Sequence, residues 1–234
     1  MQITPLGDSA LIVELGNVIN ESTHLHVQAA WRAFMAEPLP GVSEVVPAYT
    51  SVTLFYDPSA VVQAGAPADE IAGWLSARVH ERLKHPPKTA KSKPRTVGVP
   101  VCYGGEHGPD LNRVAAQAKL APEEVVRRHA KAEYRVHLIG FAPGFPYLGG
   151  LPKALVTPRH AKPRMAVPAG SVGIGGEQTG IYPQATPGGW NLIGRTPLRL
   201  FRPEDDPPVL LQAGDIVKFR AITPEEFEKL KEPA

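Results

Sequence analysis

Between Phe141 and Arg195 the chain carries glycine, proline and a few basic and amide residues at a density that an ordinary core does not need. The density is concentrated in four stretches, residues 140–150, 158–164, 168–180 and 187–196. Each glycine permits backbone conformations that other residues reach only with strain, and each proline fixes one. A run of rigid loops seeded with Arg, His, Gln and Tyr is how a scaffold holds a polar ligand. Function is therefore to be sought in this segment.

The remainder of the 234 residues must supply the scaffold. That length suits one large domain or two modest ones, each with its own core. Apolar residues make up 43% and charged residues 21%, which argues against disordered and membrane-spanning classes. The net charge of +2 lacks the basic excess of a nucleic-acid-binding chain. The 26 prolines and 22 glycines follow no period, so they mark turns rather than a collagen-like repeat. Cys102 is the single cysteine, which leaves neither a disulfide framework nor a cysteine-based metal site. The opening Met1-Gln2-Ile3-Thr4-Pro5 has no basic region followed by an apolar one, and no apolar run approaches transmembrane length. The expectation is a soluble, cytoplasmic protein with no membrane or nucleic-acid partner.

Two halves follow from the patterning. Residues 1–84 alternate strand and helix signals and read as an α/β domain. Strands are expected at 10–15, 43–49 and 51–56. Asn20 can cap a helix whose apolar positions Val27, Ala30, Trp31, Phe34 and Met35 fall on one face, and Pro67 suits the first turn of another that buries Ile71, Trp74, Leu75 and Val79. Residues 85–95, proline-rich and basic, form a linker. Residues 96–234 open with a strand at 96–102 and a helix pair built on Leu111, Val114, Ala115 and on Val125, Val126, His129. The pair superficially resembles a helix-turn-helix with Arg127, Arg128 and Lys131 toward phosphate, but a structural role fits the overall charge better. Short strands then follow at 135–141, 165–167, 172–174, 190–193, 198–201, 209–211 and 215–220, a spacing that suits a closed β-barrel or sandwich. Thr223-Pro224-Glu225-Glu226 is a capping box that starts a last short helix. The fold class is thus α+β, an N-terminal α/β sandwich domain before a C-terminal β-barrel.

Candidate chemistry comes from the glycine-rich half. Gly173, Gly175 and Gly176, with Glu177, Gln178 and Thr179, have the composition of an anion-binding loop, although neither a Walker loop nor a dinucleotide fingerprint is present. The alternative is that these glycines only turn a barrel corner. Arg159, His160, Lys162, Arg164 and Arg195 form the cationic set; guanidinium forks suit carboxylate and phosphate oxygens. His160, beside two arginines, is a candidate proton carrier, and Lys162 reads as a surface charge. Glu177 can orient an arginine, hold Mg²⁺ with a nucleotide or act as a base. Tyr182, Gln184 and Trp190 can stack on or hydrogen-bond a ring. No resident metal site is expected.

The segments 140–150 and 163–195, the opening Gly7-Asp8-Ser9-Ala10 and the closing strands between Leu210 and Phe219 closely resemble the family of the B component of bacterial 5-oxoprolinase. That family also includes the Kip-type inhibitor of a sporulation histidine kinase and the first subunit of allophanate hydrolase. The resemblance implies a C-terminal barrel of cyclophilin-like form, and partners: a KipG-like C component together with a LamB/YcsF-like A component. It implies the ATP-dependent opening of 5-oxo-L-proline to L-glutamate, with ATP, with or without Mg²⁺, as the cofactor. Phosphorylation of the lactam oxygen would supply driving force, and arginines and backbone N–H groups best stabilise charge developing there. On that reading Arg164 and Arg195 hold phosphate or substrate carboxylate, and His160 moves protons. Contact inhibition of a histidine kinase and allophanate hydrolysis are the alternatives that the same resemblance carries. Likeness to a cyclophilin barrel does not carry prolyl isomerase activity with it.

Overall fold

A computed structural model describes residues 1–86 and 93–231, and the chain divides into two compact units, Met1–Lys93 and Pro94–Ala234. Residues 87–92, the middle of the expected linker, lie outside the described residues.

The first unit is built on a four-stranded antiparallel sheet of order β1-β2-β4-β3, made of β1 (Gln2–Pro5), β2 (Ala10–Glu14), β3 (Val42–Pro47) and β4 (Ser51–Tyr56). Side chains alternate across a strand, and accordingly Leu11 and Val13 on β2 and Val52, Leu54 and Tyr56 on β4 are buried. Helices α1 (Glu21–Ala36) and α3 (Ile71–Lys84) supply Val27, Phe34, Leu75 and Val79 to the same cores, whereas Met35, expected on the same face of α1, is exposed. Asn20 caps α1 as its sequence indicates, its side-chain oxygen accepting the N–H of Thr23 at 2.8 Å. Pro67 behaves otherwise. It sits in a turn closed by the Glu70 N–H on its carbonyl, and α3 begins only at Ile71. The short helix α2 (Pro58–Gln63) escapes a search for hydrophobic period; its signal is Asp57, whose carboxylate accepts from Ser59 and Ala60 N–H groups.

In the second unit seven strands close into a barrel of order β10-β7-β6-β13-β5-β12-β9. They are β5 (Thr96–Tyr103), β6 (Glu133–Ile139), β7 (Pro146–Gly149), β9 (Ser171–Gly175), β10 (Gln178–Ile181), β12 (Asn191–Arg195) and β13 (Ile216–Ile222). The ladders are antiparallel except between β5 and β13. A separate two-stranded ribbon pairs β8 (Arg164–Val167) with β11 (Thr186–Gly188). Helices α4 (Leu111–Ala118) and α5 (Pro122–Lys131) add Leu111, Val114 and Val125 to the barrel core beside Val99, Val136 and Ile193. Arg127 and Arg128 both pair with Glu124 on their own helix, at 2.6 Å each. The final helix, α6 (Pro224–Leu230), is capped by Thr223 Oγ1, which accepts from the Glu226 N–H at 3.2 Å.

Two of the expected strands are absent. Residues 198–201 and 209–211 meet only at an isolated bridge between Phe201 and Val209. Pro203, Pro207 and Pro208 lie between them and have no N–H to extend a ladder. Conversely, β7 and β10 hide their alternation behind glycine and proline, which carry no outward or inward hydrophobic signature.

Gly175 shows why this barrel wall needs glycine. A Cβ at that position would stand 2.5 Å from the indole nitrogen of Trp190, which lies against the strand. Overpacking of this kind costs about 1–3 kcal/mol. Gly175→Ala should therefore lower the urea midpoint of unfolding by that amount of free energy with an unchanged slope; an unaltered midpoint would show that the indole has room to move.

Candidate functional site

Asp110 gathers the polar residues of the glycine-rich half. It precedes α4, is 7% exposed, and exchanges two hydrogen bonds with β12. Its N–H donates to the Leu192 carbonyl at 2.9 Å, and its Oδ2 accepts the Leu192 N–H at 2.7 Å. Oδ1 accepts from Arg164 Nη2 at 2.7 Å, so the first residue of β8 is tied to the same carboxylate. Burial alone would raise the carboxyl pKa. The hydrogen bonds from Arg164 and the Leu192 N–H, with the Arg164 charge and His160, outweigh that and hold it below the usual range.

His160 completes the group. Its backbone N–H donates to the Gly189 carbonyl at 2.7 Å, which fixes the loop. Its Nδ1 lies 2.6 Å from Arg113 Nη1. A guanidinium can only donate, so Nδ1 is the acceptor, and in the neutral ring the proton sits on Nε2. Nε2 is 3.3 Å from Asp110 Oδ2. That contact is long and poorly aligned as a hydrogen bond, but Nε2 is buried with no better-placed acceptor. Asn191 stiffens the loop from below: its Nδ2 donates to the Pro158 carbonyl at 3.0 Å and the Ile174 carbonyl at 2.9 Å. Arg159 approaches the face of Trp190, 5.5 Å from the ring centroid.

Of the expected cationic set, His160 and Arg164 are thus brought together. Arg195, at the end of β12, is turned elsewhere and donates Nε–H to the Ala169 carbonyl at 2.7 Å. Lys162 is exposed. Sequence alone does not single out Asp110 or Arg113; an aspartate before a helix reads as a cap, and an arginine on a short helix reads as a solvated charge. Their only sequence signal is the buried stripe of α4, which fixes how that helix faces the barrel.

The glycine-rich strands have a different character. Gly173 pairs with Gly180 on one side and Leu192 on the other, and Gly175 pairs with Gln178. Gly176, at φ +65°, donates its N–H to the Thr157 carbonyl at 2.8 Å. Glu177 and Gln184 are exposed, and Gln178 is half-buried. Tyr182 is buried under the ribbon in an edge-to-face aromatic group, with Phe145 5.2 Å away and Phe145 in turn 5.6 Å from Trp190. Phe141 lies over Phe145 at 5.4 Å with φ +71° and 64% of its surface exposed.

Thr179 belongs to the barrel interior. Its hydroxyl donates to the Gly173 carbonyl at 2.9 Å and therefore accepts from His129 Nε2 at 3.1 Å. Nδ1 of His129 is then the acceptor for the Tyr103 hydroxyl at 2.8 Å. His129 is fully buried and stacks on Phe219 at 4.6 Å. Burial pushes its pKa down to about 3. The single thiol, Cys102, is also buried, and burial pushes its pKa up, away from nucleophilic reactivity. Among the described residues no group of three or more His, Cys, Asp or Glu is arranged to hold a metal ion, and no helix is long and apolar enough to cross a membrane.

The chain whose closed mixed barrel carries this cluster belongs to the carboxyltransferase-domain family: residues 1–211 match the carboxyltransferase domain, subdomain C and D. Among curated relatives, the B component of 5-oxoprolinase from Bacillus subtilis (strain 168) is 49% identical over 99% of this chain and 97% of its own length. The corresponding 5-oxoprolinase component of Escherichia coli O157:H7 is 42% identical over 92% of this chain and 93% of its own. Among solved structures, TTHA0988 superposes with a TM-score of 0.77 at 36% identity over 91% of this chain, which spans 40% of the length of that protein.

The buried histidine generates a pH dependence. His129 is neutral in the fold down to about pH 3, whereas an unfolded histidine takes up a proton near 6.5. Between those values the unfolded chain binds the extra proton, so stability is full above 6.5 and falls as pH drops, by up to about 1.4 kcal/mol per unit. His137, lowered by burial and by Arg135, acts with the same sign. Urea unfolding measured across this range should show the decline, with the His129 ring signal in NMR still that of a neutral imidazole at about pH 5. A titration of that signal near 6.5 would contradict the buried assignment.

Proposed function

We propose that this chain is the B component of a cytoplasmic, ATP-dependent 5-oxoprolinase that opens 5-oxo-L-proline to L-glutamate with a KipG-like C component and a LamB/YcsF-like A component. The observation that carries the reading is the 49% identity to the Bacillus subtilis protein along 99% of the chain. Such full-length relatives favour it over contact inhibition of a histidine kinase and over an allophanate-hydrolysing role.

Opening the lactam breaks an amide C–N bond, adds water across it and needs stabilisation of a developing oxyanion. Arg164 supplies a guanidinium held in place by a buried carboxylate, and such preorganised donors act without reorganising at the moment of reaction. Arg195 is assigned to a flanking phosphate or carboxylate oxygen. His160 is assigned to proton movement through Nδ1, which becomes free when the exposed Arg113 side chain turns away. For nucleotide and substrate contacts the assigned residues are Gly176, Glu177 and Gln178 at the turn between β9 and β10, with Gln184 exposed beyond the other end of β10. Gly173, Gly175 and Thr179 back that turn from the buried strands β9 and β10, and Tyr182 lies under the ribbon. Because the Gly176 N–H is committed to Thr157 and Gly173 is paired on both edges, anion contacts fall to the guanidinium groups rather than to glycine N–H donors. ATP with Mg²⁺ would supply the activating phosphoryl group when bound.

The deciding assay mixes this chain with its A and C partners, ATP and 5-oxoproline and measures glutamate. No glutamate above the mixture lacking this chain would overturn the proposal. Within an active complex, Arg164→Ala should lower kcat by about 10²-fold, the usual loss for one preorganised donor, while thermal unfolding of the chain stays cooperative. Arg195→Ala should lower turnover as well; full activity in both variants would remove the assigned site.

A further inference from the structure

We infer that Asp110 is the positioning residue of this site, the carboxylate that holds the Arg164 guanidinium and the His160 ring in one arrangement. Its role in turnover rests on the function proposed above.

The case is geometric. Asp110 draws together three segments that are distant in sequence: the start of α4, the Leu192 backbone of β12, and the stretch from His160 to Arg164 that leads into β8. A carboxylate 7% exposed is stable only where donors replace the water it has lost. Asp110 has two, the Leu192 N–H and Arg164 Nη2, and the edge of the His160 ring approaches it besides, with Nε2 at 3.3 Å. As the residue before α4 it had an alternative, a bond to the N–H groups of its own helix, and it makes none. The side chain is turned away from the helix and toward the two residues whose chemistry the proposed reaction uses. Arg164 has only one other protein contact of this kind among the described residues, a long 3.5 Å approach to the Trp190 carbonyl, so without Asp110 its orientation is not determined. The ring of His160 is held between Arg113 on Nδ1 and the Asp110 carboxylate on Nε2. With the carboxylate removed, its Nε2–H would face an amide or open space.

A carboxylate that merely ties α4 to β12 would behave differently, because the Leu192 N–H can be satisfied by the oxygen of an asparagine. Asp110→Asn separates the two roles. In the purified ¹⁵N-labelled chain, the Arg164 guanidinium and the His160 Nε2–H should give resolved, slowly exchanging signals, assigned by their loss in Arg164→Lys and His160→Gln. In Asp110→Asn both signals should broaden or vanish. Asp110→Glu, which keeps the charge, should retain the Arg164 signal, and if the asparagine variant does not fold the glutamate variant carries the comparison through an altered Arg164 shift. In the assembled complex, Asp110→Asn should lower kcat about tenfold or more with KM for 5-oxoproline little changed, and should add almost nothing in an Arg164→Ala background. Unaltered Arg164 and His160 signals in the asparagine variant would overturn the inference. So would fully additive losses in the double variant. If the wild-type complex makes no glutamate, the proposed function falls, and the NMR comparison alone decides whether Asp110 positions the two side chains.

Discussion

A buried carboxylate can persist as an anion only if the fold surrounds it with donors, and satisfying Asp110 dictates much of the local architecture. The Leu192 N–H must come from a strand at a fixed height on the barrel, the guanidinium from the first residue of the β8 ribbon, and the imidazole from a loop pinned by Gly189 and Asn191. The donors come from the strand and from the stretch between His160 and Arg164, so neither segment can shift without leaving the charge partly unpaired. The proline-rich loop 158–163 has no regular structure of its own to hold it before β8 begins. Its order is imposed from outside, by a carboxylate, a carbonyl and an amide.

The same region solves a second problem, that of packing a large indole against a barrel wall. Trp190 lies on β9 at Gly173 and Gly175, and its ring meets Phe145, which meets Tyr182 and Phe141. Edge-to-face contacts of this kind add modest energy beyond burial and define ring orientation. The carbonyl of Trp190 then faces Arg164 and its ring faces Arg159. Glycine in the strand and polarity in the loop are therefore parts of one arrangement: the absence of a Cβ lets the indole in, and the indole backs the cationic surface.

How much of this is legible in the sequence depends on the range of the interaction. Local signals are legible: the Asn20 and Thr223 caps, the amphipathic stripes of α1, α4 and α5, and the short strands that close a barrel. The pairing of His160 with Arg164 is half legible, because both sit in one proline-framed stretch. Asp110 is not, since its partners Arg164 and Leu192 lie 54 and 82 positions away and nothing in Gly-Pro-Asp-Leu distinguishes it from a helix cap. The glycines mislead in a specific way. Their density is plain, but whether their N–H groups face a ligand or a neighbouring strand depends on pairing, and pairing is a non-local property. Residues 198–211 fail for the opposite reason: their apolar runs look like strands, while the prolines between them remove the donors a ladder needs.

Four guanidinium groups of the barrel unit illustrate how one residue type takes on different tasks. Arg164 is paired with a buried carboxylate, Arg113 with an imidazole nitrogen, Arg159 with the face of an indole and Arg195 with a backbone carbonyl. Of these pairings, the first neutralises charge. The others leave a full positive charge whose present partner is a neutral dipole or a ring quadrupole, and an incoming carboxylate or phosphate interacts more strongly than either. Asp110 therefore does not cancel the attraction of the surface for anions. It immobilises one guanidinium at the expense of that guanidinium's net charge, and leaves its neighbours to draw the anion in.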